Sequence, residues 1–311
     1  MLAMKAKPYK EVAGWSLFQF FTRFPDEEAA RRHMESVRWP NGPVCPDCGS
    51  VNAAAVKSLK PMPYRCRDCR NYFSVKKGSI FQDAKLGCRE ILLGIHLLTS
   101  SPKGVSSVQF AKLLGTTQKT GWLLAHKIRR CMTQNTQPLF GVVEADESYV
   151  GGKERNKHAS KRLNMGRGPV GKEAVLGIRE RDGEVRVRHI EAVTGPVVQS
   201  HLAANIDPDA VLMTDEAAVY RGVPYEHHTV AHSTGEYVRG MAHTAGIESF
   251  WAVLKRGYVG IYHYMSPKHL HRYIDEFAVR HNARHADSEK VLNLVLRGTR
   301  GHQMTYQELT T

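Results

Sequence analysis

Gly141-Val142-Val143-Glu144-Ala145-Asp146-Glu147-Ser148-Tyr149-Val150-Gly151-Gly152 is the stretch on which the fold turns. Side chains of alternating character, β-branched at several positions and closed by a glycine pair, predict a strand beginning where the periodicity changes at Leu139. Two further strands are expected downstream, Glu173 to Arg179 and Glu184 to Ala192, joined by the turn Arg181-Asp182-Gly183 into a meander. Ser200 to Ile206 then suits a helix. Ala210-Val211-Leu212-Met213-Thr214-Asp215 reads as a buried strand ending in an acid, and a long helical element runs from Gly246 onwards. A meander followed by a helix, a further strand and a long helix predicts an α/β domain.

This arrangement gathers carboxylates. Asp146 and Asp215 fall at or near the carboxyl ends of expected strands, and Glu248 opens the helix Ile247-Glu248-Ser249-Phe250-Trp251-Ala252-Val253-Leu254-Lys255-Arg256, 33 residues beyond Asp215. Two-metal phosphoryl transfer requires such convergence, because two Mg²⁺ about 3.5 to 4 Å apart repel each other unless anionic oxygens flank them. On the helix, Ile247, Phe250, Trp251 and Leu254 form an apolar stripe, while Glu248 and Lys255 share an azimuth, one suited to a metal and the other to a phosphate. Alternatives stay open at each acid. Glu144 shares the strand face of Asp146 and could be the ligand; Asp215 could simply cap a helix; Asp275 and Glu276, the latter at the margin of the stripe Leu270, Tyr273, Ile274 and Phe277, compete with Glu248. The many histidines, among them His227, His228, His232, His263, His269, His271, His281 and His285, make no HExxH pairing and fit solvated or phosphate-contacting roles.

Ahead of this domain, Cys45-Pro-Asp-Cys48 and Cys66-Arg-Asp-Cys69 stand 17 residues apart, a spacing that lets two knuckles supply four thiolates to one tetrahedral Zn²⁺. Short alternating runs at Tyr64-Arg65 and Asn71 to Val75 predict a zinc ribbon. Four cysteine ligands leave no open coordination position, so the zinc is expected to be structural. Cys88 and Cys131 are expected as buried thiols. Trp15 to Trp39 reads as helical, with Asp26 and Glu27 at the amino end of a helix through Val37, and Arg89 to Ser100 as an apolar helix. Val105 to Arg130 reads as two helices broken at Leu114-Gly115-Thr116-Thr117. This grammar suits either a helix-turn-helix, with Gln118 and Lys119 opening the helix that meets the major groove, or an ordinary helical hairpin.

Of the 311 residues, 42% are hydrophobic and 24% charged, enough apolar material for two or three packed domains. Lys and Arg total 44 against 30 Asp and Glu, a net charge of +14 that attracts polyanions, nucleic acid first among them. The basic charge alone also suits an enzyme that never meets DNA. The segment from Lys153 to Lys172, which includes Lys157, carries seven Lys or Arg against one Glu and reads as a mobile basic loop, either solvated or in contact with DNA. Neither a secretory leader nor a membrane span is expected: Gln19, Thr22 and Arg23 interrupt the first aromatic run, and Ile91 to Leu98 is too short.

The motifs Phe24-Pro25-Asp26-Glu27, Arg38-Trp39-Pro40 and Cys45-Pro46-Asp47-Cys48, then Asp146 to Lys153, His243-Thr244, Ile247 to Trp251, Leu254 to Gly257, Tyr262-His263, Ser266 to Leu270 and Asp275-Glu276-Phe277, span nearly the whole chain. In these the sequence resembles the DDE transposases of bacterial insertion sequences, the ISXO-type members of the fifteen-ninety-five family. Many of those relatives carry Asn at the place of Ala245, and some set the third catalytic role near there, which leaves Glu248 for it here. The resemblance implies an RNase H-like catalytic domain in which Asp146, Asp215 and Glu248 bind two Mg²⁺ (or Mn²⁺) and Lys255 touches DNA. It divides the chain into a helical segment at 1–41, a zinc ribbon at 42–80, a helix-turn-helix region at 81–135, the catalytic domain at 138–290 and a tail at 291–311. The implied activity is cleavage and strand transfer at transposon ends and target DNA, by a homodimer or larger assembly in the bacterial cytoplasm at the nucleoid. Lys255, Arg256, Gln118, Lys119, Lys153 and Lys157 are the expected DNA contacts. The rival readings are a catalytically silent DNA-binding regulator or domesticated relative, and a plain RNase H nuclease, which would leave the zinc ribbon idle.

Overall fold

The computed structural model describes residues 14–163, 169–230, 244–301 and 303–311. The front end begins with α1 (Leu17–Arg23), held by a capping box between Ser16 and Gln19, and α2 (Glu27–Arg38), whose Asp26 side chain accepts from the Ala29 N–H. Three short antiparallel strands come next, β1 (Ala53–Ala55), β2 (Tyr64–Cys66) and β3 (Tyr72–Phe73), which form the expected ribbon. Helix α3 (Cys88–Ser100) takes its cap from a distance: the Glu27 carboxylate accepts the Cys88 and Arg89 N–H groups at 2.7 and 2.9 Å, tying α2 to α3. Helices α4 (Ser107–Leu113) and α5 (Gln118–Arg130) meet closely at Gly121, where a Cβ would stand 2.9 Å from the Ala111 Cβ.

One apolar core runs through all of these elements. Phe20, Phe24, Met34, Cys45, Phe73, Ile91 and Ile128 share it with Val295 and Leu296 of α9 (Ser288–Arg297) and with Leu309 of α10 (Tyr306–Thr310). The segments expected at 1–41, 42–80 and 81–135 therefore do not have separate cores. Within the expected tail at 291–311, the stripe Val291, Leu292, Val295 and Leu296 buries α9 against the front end.

The second body is a five-stranded mixed sheet of β4 (Val142–Val150), β5 (Glu173–Glu180), β6 (Val185–Ile190), β7 (Val211–Asp215) and β8 (Glu226–Val230), in the order β6-β5-β4-β7-β8. The first three strands form the antiparallel meander, while β7 and β8 run parallel to β4. Helix α6 (Gly195–Asn205) covers one face, where Val143, Ala145, Leu176 and Ile178 meet Val198 and Leu202. Helices α7 (Ala245–Gly257) and α8 (Pro267–Asn282) cover the other, with Ile247, Phe250, Trp251, Leu270 and Phe277 against Val175 and Val187. The topology is RNase H-like.

Three elements differ from expectation. Helix α6 starts at Gly195 rather than Ser200, since Pro196 sits in its first turn, where a missing N–H costs nothing. Strand β8 has no counterpart in the sequence reading. Asp146 lies mid-strand rather than at a strand end, although the parallel pairing of β4 with β7 stops beside it, at Glu144 and Met213.

Candidate active site and metal centre

Strand alternation sends Glu144, Asp146 and Val150 toward α7, and Val143 and Ala145 toward α6. Across the ladder Asp146 pairs with Gly177, whose missing side chain sets how closely α7 can approach. A Cβ there would stand 2.5 Å from the Trp251 ring, so only glycine lets α7 settle onto β5. Trp251 then lies over Gly177, and its indole N–H donates to Asp146 Oδ2 at 3.0 Å. The Glu147 N–H donates to Asp146 Oδ1 at 2.8 Å.

Burial first, then the charges of Glu147 and Asp215, push the Asp146 carboxyl up to about 7. Glu147 is also raised by burial, although the Tyr220 hydroxyl donates to it at 2.7 Å and counters part of the shift. Asp215, at the end of β7, accepts the Ala217 N–H at 3.0 Å. Glu248 is exposed in the first turn of α7, one turn ahead of Trp251, and accepts from the Thr244 hydroxyl at 3.0 Å. Asp146, Glu147 and Asp215 thus form one electrostatic cluster, and Glu248 stands on the helix that grips it. Sequence alone marks Trp251 as part of an apolar stripe and of a family motif, and gives no sign that Gly177 and Tyr220 belong to the site.

The competing acids are engaged elsewhere. Glu144 is fully buried beneath the start of α7, where it accepts the Ile247 N–H at 2.8 Å with Arg179 and Arg181 each 3.8 Å away. Glu276 is not at a margin: it is fully buried between Arg129 and Arg280 and accepts from the Tyr262 hydroxyl at 2.9 Å. Asp275, raised to about 6 by burial, accepts from Gln134, which also bonds both backbone groups of Val187.

Among the described residues, the one set of His, Cys, Asp or Glu donors gathered tightly enough to hold a single ion is Cys45, Cys48, Cys66 and Cys69, all within 4.8 Å of one another. Cys45 and Cys69 are 3.6 Å apart, as are Cys48 and Cys66. A tetrahedron with metal–sulfur bonds of about 2.3 Å has edges of about 3.8 Å, so the quartet fits structural Zn²⁺. Since Cys45 and Cys66 belong to the core shared with α2, α3 and α9, metal loss should spread beyond the ribbon. Cys45→Ser is expected to lose the zinc and to melt the whole front end, losing on the order of 10 kcal/mol of metal-linked folding energy. Elemental analysis and thermal melting check this; a zinc-free variant melting like wild type would refute it.

The expected DNA contacts are scattered over the surface. Lys255 and Arg256 are exposed in the last turn of α7, and Lys153 is exposed after β4. Lys157 is engaged with Glu154. Gln118 donates to the Ser107 hydroxyl, and the Lys119 ammonium lies 4.0 Å from the centre of the Tyr306 ring. Beyond that first turn α5 is largely buried, from Leu124 to Arg129, so only its amino end is open to a groove. Residues 164–168 of the basic loop, and His232 and His243, lie outside the described residues.

Residues 138–282 match the ISXO2-like transposase domain and residues 25–72 the transposase zinc-ribbon domain, both of the IS1595 type, together covering well over half the chain. The chain belongs to the IS1595 transposase family. The first match holds Asp146, Asp215 and Glu248, the second all four zinc-site cysteines, and α4 and α5 lie outside both. A solved structure, the simian T-cell lymphotropic virus intasome in complex with PP2A regulatory subunit B56 gamma, is similar at 12% identity, with a TM-score of 0.27. That match covers 58% of the transposase and 66% of the other chain, just under two thirds, and is too remote to carry an argument. No curated protein matches the transposase. None of its described helices is long and apolar enough to cross a membrane.

Proposed function

We propose that this transposase binds the ends of its DNA element and performs both strand cleavage and strand transfer, with Asp146, Asp215 and Glu248 as the acids that hold two Mg²⁺. The observation that carries this reading is the Asp146 carboxyl, gripped by Trp251 and weakened to about 7 beside Glu147 and Asp215. Asp146, Glu147 and Asp215 raise one another's proton affinity, a cost that a divalent cation relieves, and an all-oxygen donor set suits Mg²⁺. When bound, the metal ions supply an activated water or 3′-hydroxyl and neutralise charge on the phosphate. The chain's own part is positional. Trp251 and the Glu147 N–H fix both oxygens of Asp146, the Ala217 N–H fixes Asp215, and exposed Glu248 faces outward, where DNA can approach. Lys255 and Arg256 hold the phosphodiester backbone at the far end of the same helix. Chemistry at two element ends calls for a dimer or larger assembly on DNA, in the cytoplasm with the nucleoid.

Cleavage and joining of end oligonucleotides in Mg²⁺ test the reading. Asp146→Asn and Glu248→Gln should each lose about a hundredfold or more in rate, the scale of removing one charge-stabilising group, while binding DNA as wild type does. Wild-type cleavage by either variant would sink the assignment, and cleavage absent from the wild type itself would favour the silent regulator. Lys255→Ala with Arg256→Ala should weaken DNA binding at every sequence. The slope of log affinity against log salt should drop by about 0.9 for each phosphate no longer neutralised, and an unchanged slope would remove these two residues from the interface.

A further inference from the structure

A cleft of about 380 Å³ lies where the loop leaving the ribbon, the first turns of α5 and residues 303–306 meet. That size is within the range of small-molecule sites. Ile80, Leu86, Leu124 and Met304 make its walls apolar, and Lys127 enters among them only 7% exposed. Among the described residues the Lys127 side chain makes no hydrogen bond or ion pair; Asp83 and Glu308 act on it only at longer range. Burial accordingly lowers its affinity for a proton. An ammonium held among aliphatic side chains without a partner is costly, and this one opens on a space that can hold a partner.

The wall opposite is pre-formed: the Lys76 ammonium donates to the carbonyls of Ala84 and Leu86, each at 2.9 Å, and so pins the loop that carries Leu86. Lys85 and Lys119 at the lining outnumber Asp83, which leaves the cleft positive. A DNA backbone is poorly suited to it, since phosphate tracks need several exposed cations along a surface rather than one cation deep among aliphatic side chains. We propose that this cleft binds a small apolar carboxylate, whose anionic head pairs with Lys127 and whose hydrocarbon body lies against Ile80, Leu86 and Met304. Nothing in this site overlaps the acids of β4, β7 and α7.

Titration of the zinc-loaded full-length chain with sodium octanoate, and with octanol as the uncharged counterpart, tests the site by calorimetry. Lys127→Met keeps the apolar stem and removes the charge. Octanoate should bind the variant about tenfold or more weaker than wild type, because a charge-assisted hydrogen bond is removed, while octanol binds both alike. Equal octanoate affinity for both chains, or none for wild type, overturns the proposal. A second measurement needs no variant: octanoate, but not octanol, should slow reductive methylation of Lys127 in the wild type, measured by peptide mass spectrometry. Lys127 labelling that octanoate leaves unchanged, or that duplex DNA alone suppresses, overturns it as well.

Discussion

Glu276→Gln is expected to destabilise the transposase by about 3 to 5 kcal/mol, the cost of removing one partner from a buried ion pair. Glu276 is wholly buried, and it neutralises two guanidinium groups, those of Arg129 from α5 and Arg280 four residues along α8. The cluster carries one net positive charge with the glutamate and two without it. Arg280 already feels the strain: burial, and secondarily the charge of Arg129, lowers it to about 10. Since α5 belongs to the front end and α8 to the catalytic body, this cluster joins the two. Urea denaturation measures the loss, and a change below about 1 kcal/mol would contradict it. Replacing all three residues together, Arg129→Met, Glu276→Leu and Arg280→Met, should recover much of the stability, because an apolar trio of similar volume pays no desolvation. Below its lowered melting point, Glu276→Gln should cleave DNA at a rate close to wild type, which separates it from Glu248→Gln.

That contrast shows what sequence could and could not deliver. Alternation in β4 was legible because one face meets α6 and the other α7, and the acids of β4 and β7 could be named from their strands. Glu276 looks marginal in sequence because Arg129 lies 147 residues away on α5 and only packing brings it in, whereas Arg280, one turn along α8, would alone suit an exposed helix pair. Glu144 and Asp146 share a strand face and look equivalent in sequence; they differ because Glu144 meets the start of α7 and two arginines, whereas Asp146 meets Trp251. The Trp251 contact in turn depends on Gly177, a residue of another strand with no side chain to advertise it. Strand β8 was invisible for a simpler reason. Glu226-His227-His228-Thr229 is polar at every position of an edge strand, and only Val230 is buried. Helix α9, by contrast, carried a readable apolar stripe that its position near the end of the chain disguised.

Acid should unfold the transposase steeply, through two buried histidines. His126 is fully buried among Trp122, His269 and Tyr273, with neither ring nitrogen hydrogen-bonded. Burial first, then Arg129, His269, Arg272 and His271, pushes it down to about 2. His201, 6% exposed beneath the sheet, falls to about 4 through burial and the charges of Arg188 and Arg186. An unfolded histidine takes up its proton near pH 6.5, so below that point the unfolded chain binds protons that the folded chain refuses. Stability is therefore fully present above about pH 6.5 and lost as pH falls, by about 1.4 kcal/mol per unit for each histidine. For His201 the loss levels off near pH 4, and for His126 it continues toward pH 2. By pH 4.5 the pair should remove about 5 kcal/mol, comparable with the whole stability of many domains. Zinc release also weakens the protein in acid, so the decisive measurement is a difference between chains. His126→Phe, an aromatic of similar shape, should flatten the fall of unfolding free energy between pH 6 and 4.5 by about 1.4 kcal/mol per unit relative to wild type. Parallel curves for the two chains would show that His126 is protonated in the folded state and has no part in the acid transition.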